Sequence, residues 1–166
     1  MEHAAPGLEY VMTVHLTMVP GSLTRITDLP GGGARWSINV GGGSFEGPAL
    51  KGRVLPGGIE NPHFRPDNVL MINARWLLET DDGERIYVQN RGIRRAYHDP
   101  AKMTAWMTKS APVTASDFYF RVAPVFETSS GKYDWLTRFL FVGMLIDADK
   151  TGDALPGPSM RYFKVL

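Results

Sequence analysis

Apolar and polar residues alternate along several stretches of the chain, which is the pattern of half-buried β-strands. In residues 8–18, apolar side chains recur at every second position from Tyr10 to Met18. The same kind of pattern predicts further strands at residues 25–28, 34–40, 44–55, 69–79, 84–90, 118–128, 133–147 and 160–166. Roughly eight to ten short strands at this spacing favour a sandwich or barrel. We therefore predict a single all-β domain over residues 1–166, with an antiparallel β-barrel as its architecture.

Two local signals sharpen this picture. Asp81-Asp82-Gly83 separates two strand patterns, and Asp-Gly is a strong hairpin signal. Asp99-Pro100 supplies an N-cap followed by a proline at the first helical position. Met103, Trp106 and Met107 then share one face, which predicts one short helix over residues 100–109.

Glycine and proline punctuate the chain, with 18 and 12 residues of each type. The glycine triplets at 31–33 and 41–43 lack the lysine of a phosphate-binding loop and do not begin a helix. We interpret both triplets as turns. The strand predicted at 44–55 is expected to bend at Gly47-Pro48.

Charge and composition exclude several classes of function. The net charge is +1 without a basic block, which argues against nucleic-acid binding. No cysteine is present, and the four histidines have no ligand spacing, so neither a metal nor another cofactor is predicted. No apolar stretch approaches the ~20 residues of a membrane span, and no secretory signal pattern is found. We expect a cytoplasmic protein and, because twofold dimers are the commonest soluble assembly, a homodimer.

Glu46 is the first candidate for chemistry. On a period of two it shares a face with Leu50, Gly52 and Val54, so it points inward unless the bend at Gly47-Pro48 changes the register. Burial would raise the pKa of this carboxyl group and suit it to proton transfer near neutral pH. The alternative is a structural ion pair with an arginine.

Three further polar residues are embedded in apolar strands. Asn90 is predicted to face inward, where it could hold a substrate oxygen or satisfy backbone groups at the end of a strand. Arg121 could stabilise an oxyanion or merely neutralise a buried carboxylate. Glu127 has the same parity as Arg121 and is the second carboxylate candidate.

Aromatic residues near these positions could form the walls of a ligand site. Phe45 and Tyr119 adjoin Glu46 and Arg121 along the chain, and Tyr133 and Trp135 are assigned to the interior. Filling of the core is the alternative role for such rings and the commoner one.

Several motifs in chain order resemble domain-of-unknown-function family 3237. They include Gly42-Gly43-Ser44-Phe45-Glu46-Gly47-Pro48, Leu55-Pro56-Gly57-Gly58, Arg65-Pro66-Asp67, Ile86-Tyr87-Val88, Tyr119-Phe120-Arg121, Phe126-Glu127-Thr128 and Trp135-Leu136. The resemblance implies a lipocalin-like β-barrel. It also implies that some relatives close oxygen rings without a cofactor, by adding a hydroxyl across an activated alkene.

The chain departs from the family pattern at a few positions. Ile59-Glu60-Asn61 stands where the resemblance leads us to expect Ala-Asp-Trp. Asn73 replaces an expected Asp, and Thr137 replaces an expected Asn. If these positions line the interior, the substrate differs from that of a typical member.

Two functions follow as hypotheses. The first is a cofactor-independent enzyme that cyclises or isomerises a small, oxygenated, largely apolar molecule by general acid–base catalysis. In this hypothesis Glu46 moves the proton, Arg121 stabilises the oxyanion and Asn90 orients the substrate. The second is a barrel that binds such a molecule without changing it. An inward ionisable group favours the enzyme.

Overall fold

The computed structural model describes residues 5–147 and 156–166 as a closed antiparallel β-barrel with eight strands around its circumference, three additional short strands and one α-helix. The eight strands follow the order β1-β11-β10-β9-β8-β7-β4-β3, and pairing of β3 with β1 closes the barrel. The elements are β1 Leu8–Met18, β2 Thr24–Ile26, β3 Ala34–Glu46, β4 Lys51–Val54, β5 Gly58–Glu60, β6 His63–Phe64, β7 Leu70–Thr80, β8 Arg85–Ala96, α1 Ala101–Thr108, β9 Phe118–Thr128, β10 Phe141–Asp147 and β11 Pro156–Val165. The predicted fold class is confirmed.

The three additional strands continue two interrupted strands. Strand β2 pairs with β3 beyond the point where β1 ends. Strands β5 and β6 pair with both β3 and β7, so they extend β4 along the same gap. Prolines and glycines separate the segments, because residues such as Pro56 and Pro62 cannot donate to the ladder.

Inward-facing residues of these strands form the core. The larger apolar cluster fills the barrel and includes Met12, Phe45, Trp76, Leu78 and Phe126. Outward positions alternate with these residues and are mostly exposed.

Helix α1 covers the end of the barrel where β6 ends and β7 and β9 begin, which we call the helix end. The side chain of Asp99 accepts a hydrogen bond from the Ala101 N–H at 2.9 Å, which explains why the helix starts here. Met103 is buried against Phe64, Leu70 and Phe118. The predicted helix and its apolar face are confirmed.

The opposite end, which we call the hairpin end, contains the tight turn between β7 and β8. Asp82 in this turn accepts hydrogen bonds from Lys132 Nζ at 2.7 Å, from Tyr133 OH at 2.8 Å and from Thr80 Oγ1 at 2.6 Å. These contacts fasten the segment that precedes β10 to the hairpin. They also hold the pKa of Asp82 well below its usual value, with the Lys132 bond as the largest cause.

The strand predicted at residues 133–147 is wrong in its first half. Residues 134–137 form one turn of 3₁₀-helix, and β10 begins only at Phe141. Tyr133 and Leu136 are both buried, and a spacing of three brings two side chains to the same side of a 3₁₀ turn. That spacing outweighs the apparent alternation of residues 133–136.

The predictions for residues 34–55 also need correction. The second glycine triplet is not a turn, because β3 runs through it. A bulge at Gly41 interrupts the pairing with β1, and Gly42 and Gly43 take positive φ values of 139° and 142° that favour glycine. The chain then reverses between Glu46 and Lys51, so residues 44–55 form parts of two strands rather than one bent strand.

Candidate functional site

Five inward side chains on neighbouring strands form a layer along the barrel wall, between the two ends of the barrel. Each member lies directly opposite the next on a neighbouring strand, and the layer comprises Ile38, Glu60, Ala74, Asn90 and Pro124. Side chains that oppose one another in an antiparallel pair point to the same face of the sheet. Ala74 and Asn90 are each 1% exposed, so this face is the interior. We call these five residues the central layer.

Glu60 therefore brings a carboxyl group into the barrel. It is the last residue of the short strand β5, and its partners across the ladder are Ile38 and Ala74. Its negative charge contributes to the raised pKa of the phenol of Tyr162, which is also buried in the interior. A carboxyl group in this setting can accept a proton as the carboxylate and donate it again as the acid.

Tyr162 lies on β11 and is completely buried. Burial and, second, the negative charge of Glu60 raise its pKa well above the usual value of 10.0. The phenol consequently stays protonated and acts as a hydrogen-bond donor at physiological pH. Its O–H donates to the thioether sulfur of Met160 at 3.6 Å.

Gly143 on β10 creates the space that the Tyr162 ring occupies. Gly143 lies opposite Tyr162 on one side and opposite Val122 on the other. A Cβ atom at Gly143 would lie 2.6 Å from Cε1 of the Tyr162 ring. Glycine is thus required here for close approach of a ring to the backbone.

Asn90 approaches the same methionine. Its Nδ2 group donates to Met160 Sδ at 3.6 Å, and its Oδ1 atom is buried without a hydrogen-bond partner among the described residues. We call Glu60, Asn90, Tyr162 and Met160 the interior polar cluster. It contains a carboxylate, two hydrogen-bond donors and an unused acceptor.

Apolar side chains enclose the interior polar cluster toward the hairpin end. Trp76 and Val88 lie opposite each other, two residues along their strands from Ala74 and Asn90. Trp76 Nε1 is buried and has no hydrogen-bond partner within residues 5–147 and 156–166. Electrostatic interactions in such low-dielectric surroundings are stronger than in water.

An arginine and aromatic rings close the interior toward the helix end. The Arg94 guanidinium is buried and lies 3.7 Å from the Trp106 ring centroid and 4.1 Å from that of Phe118. Trp36 stacks on Trp106 with centroids 6.1 Å apart. The cation is stabilised by these ring faces, one of which, Trp106, belongs to helix α1.

The predicted inward orientation of Glu46 is wrong. Phe45, its neighbour, is the residue that points into the core at 2% exposure, and Glu46 is exposed on the outer surface opposite Lys51. The reversal of the chain between Glu46 and Lys51 breaks the parity with Leu50 and Val54 on which the prediction rested.

The arginine and the second carboxylate also lie outside the barrel. Arg121 and Glu127 share a face with Tyr119, as predicted, but that face is the outer one. Arg121 lies against Tyr119, with 5.2 Å between its guanidinium carbon and the ring centroid. The inward residues of β9 are Phe118, Phe120, Val122, Pro124 and Phe126. The predicted burial of Arg121 with a carboxylate is therefore wrong.

The remaining candidates do lie inward. The predicted orientation of Asn90 is confirmed by its burial in the central layer. Phe45 and Tyr133 are buried, and Trp135 packs partly buried against the core, with its ring centroid 6.2 Å from that of Phe141. Roles of these residues in binding or catalysis stay predictions.

Sequence reasoning missed Glu60 and Tyr162 as site residues. The available signal for Glu60 was its position, because the family resemblance leads us to expect a carboxylate there. Of the other departures from the pattern, Asn73 lies on an outward position of β7 and Thr137 is exposed. The change at position 60 lies in the central layer. It keeps the carboxylate and lengthens the side chain by one methylene group.

The described part of the chain holds neither a metal-binding cluster nor a helix that could span a membrane. No three histidine, aspartate or glutamate side chains there are grouped so that they could hold a metal ion. None of the helices described is long and apolar enough to cross a membrane.

Comparison with known proteins gives a match over most of the chain. Residues 6–151 match the family model described as "Protein of unknown function (DUF3237)". A UPF0311 protein of Rhodopseudomonas palustris is 36% identical over 138 residues, which cover 83% of this chain and 88% of that protein. The crystal structure of a protein of unknown function from the same organism superposes with a TM-score of 0.83 at 30% identity, covering 99% of this chain and all of the other.

A more distant relative has a described activity. It is the hydroalkoxylation enzyme phnH of Penicillium herquei, 27% identical over 133 residues, which cover 80% of this chain and 70% of the relative. A β-barrel-like protein of Acinetobacter baumannii, with a TM-score of 0.78, 28% identity and 99% coverage of both chains, has the same barrel fold.

Proposed function

This chain belongs to the family described as protein of unknown function (DUF3237), and from that premise we propose that it is a cofactor-independent enzyme. Its substrate is a small, oxygenated, largely apolar molecule bound inside the barrel. The reaction is cyclisation or isomerisation by general acid–base catalysis, with intramolecular addition of a hydroxyl to an activated alkene as the example that the distant relative's activity supports. The observation that carries the proposal is the inward carboxyl group of Glu60 in the central layer.

Glu60 transfers the proton in this proposal. Its carboxylate accepts the proton of the substrate hydroxyl while the oxygen forms a bond to one alkene carbon. The same carboxyl group then delivers that proton to the other alkene carbon. Bonds and electrons balance without an oxidant, a reductant or a second substrate. General acid–base catalysis of this kind contributes about 100- to 10,000-fold in rate.

Confinement in the barrel supplies the second part of the rate enhancement. A hydroxyl and an alkene of one molecule, held in contact by the apolar walls beside Trp76 and Val88, react as a preorganised pair. The same walls keep water from the apolar part of the substrate, while Glu60 itself is half-buried.

The test is ring closure of hydroxyenones by wild type and two variants. 2′-Hydroxychalcone and a series of aliphatic hydroxyenones are followed by loss of the conjugated enone absorbance. Glu60→Gln retains the shape of the side chain but cannot exchange a proton, so it should lose about 100-fold or more in kcat. The matched control is Glu127→Gln, the same change at an exposed position, and it should keep wild-type kcat.

Two outcomes would contradict the proposal. One is wild-type turnover by Glu60→Gln. The other is that wild type binds these compounds, as observed by calorimetry, but closes the ring of none of them faster than the Glu60→Gln protein does. The second outcome would establish the non-catalytic binding barrel instead.

A further inference from the structure

Two buried donors inside the barrel converge on one weak acceptor. Asn90 Nδ2 and Tyr162 OH each lie 3.6 Å from the sulfur of Met160. A thioether sulfur accepts hydrogen bonds poorly, and buried donors are ordinarily paired with a strong acceptor. All three residues are at most 1% exposed, so no bulk solvent replaces the missing oxygen.

Met160 is suited to leave this position. It lies two residues before Tyr162 on β11, on the same face of the strand. Its side chain is unbranched, with three rotatable bonds, and adapts readily to changes in its surroundings. A shift of Met160 exposes both donors to the same point in the interior.

The geometry points to a two-donor oxygen site, formed by Asn90 Nδ2 and Tyr162 OH, that binds the carbonyl oxygen of an α,β-unsaturated carbonyl substrate after the Met160 thioether moves aside. This inference rests on the proposed function and names its substrate class. A carbonyl oxygen has two lone pairs and accepts hydrogen bonds at 2.7–3.2 Å in general, closer than the present contacts to sulfur.

The site stabilises the charge that the proposed reaction develops. As the substrate hydroxyl adds to the alkene, negative charge moves onto the conjugated carbonyl oxygen to give an enolate. Two fixed donors directed at this oxygen stabilise the enolate more than the neutral ketone. The proton taken up by Glu60 then returns to the α-carbon, and the carbonyl is restored.

The unused acceptor of the same amide adds a second element of recognition. Asn90 Oδ1 lies on the amide whose Nδ2 group holds the carbonyl oxygen, and it is buried without a partner among the described residues. It is available to a second hydroxyl group of the substrate, because the proton of the reacting hydroxyl goes to Glu60. The preferred substrate is accordingly an enone with a tethered hydroxyl rather than a hydrocarbon or a simple alcohol.

The probe is 4-phenylbut-3-en-2-one, an enone without a hydroxyl, so that binding is measured apart from turnover. β-Methylstyrene, which lacks the carbonyl, is the matched control ligand. Wild type should bind the enone more tightly than the hydrocarbon. Tyr162→Phe, which removes one donor and keeps the ring, should weaken enone binding about tenfold and leave hydrocarbon binding unchanged. Tyr87→Phe makes the same change on the outward face of β8 and should have no effect.

Two spectroscopic measurements on the wild type accompany the variants. The infrared C=O stretch of the bound enone should fall below its frequency in water, and the fall should be smaller in Tyr162→Phe. The second measurement is the NMR spectrum of protein with ¹³C-labelled methionine methyl groups, in which Met160→Leu assigns the Met160 signal. That signal should shift on enone binding, whereas the signal of Met103 in helix α1 should not.

The inference is overturned if Tyr162→Phe binds the enone as tightly as wild type with the same C=O frequency. It is equally overturned if the bound enone leaves the Met160 signal unchanged. Either result leaves the role of Glu60 intact, because the loss of ring closure in Glu60→Gln is a separate measurement. Conversely, a Glu60→Gln protein with full turnover removes the proposed proton transfer without affecting the binding result.

Discussion

Replacing Gly143 with alanine should displace Tyr162 and thereby disturb the interior polar cluster. The added methyl group would lie 2.6 Å from Tyr162 Cε1 and 2.7 Å from Val122 Cγ2. Nonbonded carbon atoms prefer separations of about 3.5–4.0 Å, so the ring must retreat by about 1 Å. The backbone of Gly143 does not need a positive φ, and the effect is therefore one of space alone.

Overpacking of this kind costs about 1–3 kcal/mol in the free energy of unfolding. The ring carries the phenol that donates to Met160, so enone affinity should also fall, by about tenfold if that hydrogen bond is lost. Urea unfolding measures the stability, provided that the m-value stays that of wild type. Titration with 4-phenylbut-3-en-2-one measures the affinity.

Gly31→Ala is the matched control, because no atom lies within 4 Å of the position that its Cβ would take. Its free energy of unfolding should stay within about 0.5 kcal/mol of wild type. If Gly143→Ala retains both wild-type stability and wild-type enone affinity, the close packing of Tyr162 on β10 does not position the phenol, and our account of that position is wrong.

Three further predictions concern the hairpin end, strand β3 and the oligomeric state. Asp82→Asn should lower the free energy of unfolding at pH 7. Because the pKa of Asp82 is depressed in the folded state, its contribution is present above the unfolded-state pKa near 3.8 and is lost as the pH falls below that value. The difference between wild type and variant in urea unfolding should therefore be smaller at pH 3, and an equal difference at both pH values would argue against the hydrogen bonds to Asp82 as its source. Phe45→Ala should lower the free energy of unfolding by about 3–5 kcal/mol, whereas Glu46→Ala should change it by less than about 0.5 kcal/mol. If thermal unfolding shows the larger loss for Glu46→Ala, Phe45 does not point into the core and Glu46 does not point outward. A homodimer is expected at micromolar concentration, and a monomer in sedimentation velocity would refute it.

Local signals in the sequence were sufficient to predict the elements that depend on neighbouring residues alone. The Asp-Gly hairpin lies between β7 and β8, and the Asp-Pro signal precedes α1, as predicted. The alternation in 8–18 and 118–128 gave the bounds of β1 and β9. In each case one local conformation is strongly preferred, because the turn residues or the regular alternation of apolar and polar residues favour it.

Which face of a strand points into the barrel was harder to predict than which residues share a face. Tyr119, Arg121 and Glu127 were correctly assigned to one face of β9, but their face is the outer one. The alternate face carries three phenylalanines, and burial of these rings outweighs any gain from enclosing a charged pair. Comparison of the two faces would have favoured the observed orientation.

Residues separated by bulges and interruptions could not be placed from local pattern. One extra residue at Gly41 changes which side chains of β3 face inward, and this places Phe45 in the core and Glu46 in solvent. Glu60 lies on a three-residue strand whose orientation depends on pairing with β3 and β7. A strand of that length carries almost no periodic signal of its own.

The central claim is that a carboxyl group inside the barrel moves the proton, and ring closure in D₂O tests it most directly. The hydroxyl of 2′-hydroxychalcone exchanges to O–D, and Glu60 should transfer that deuteron to the α-carbon on the face where the new C–O bond forms. We predict one enantiomer of the flavanone with a single deuterium at C3, in the diastereomer of syn addition. A product with deuterium distributed over both C3 positions would show that the proton comes directly from solvent, and would contradict the account.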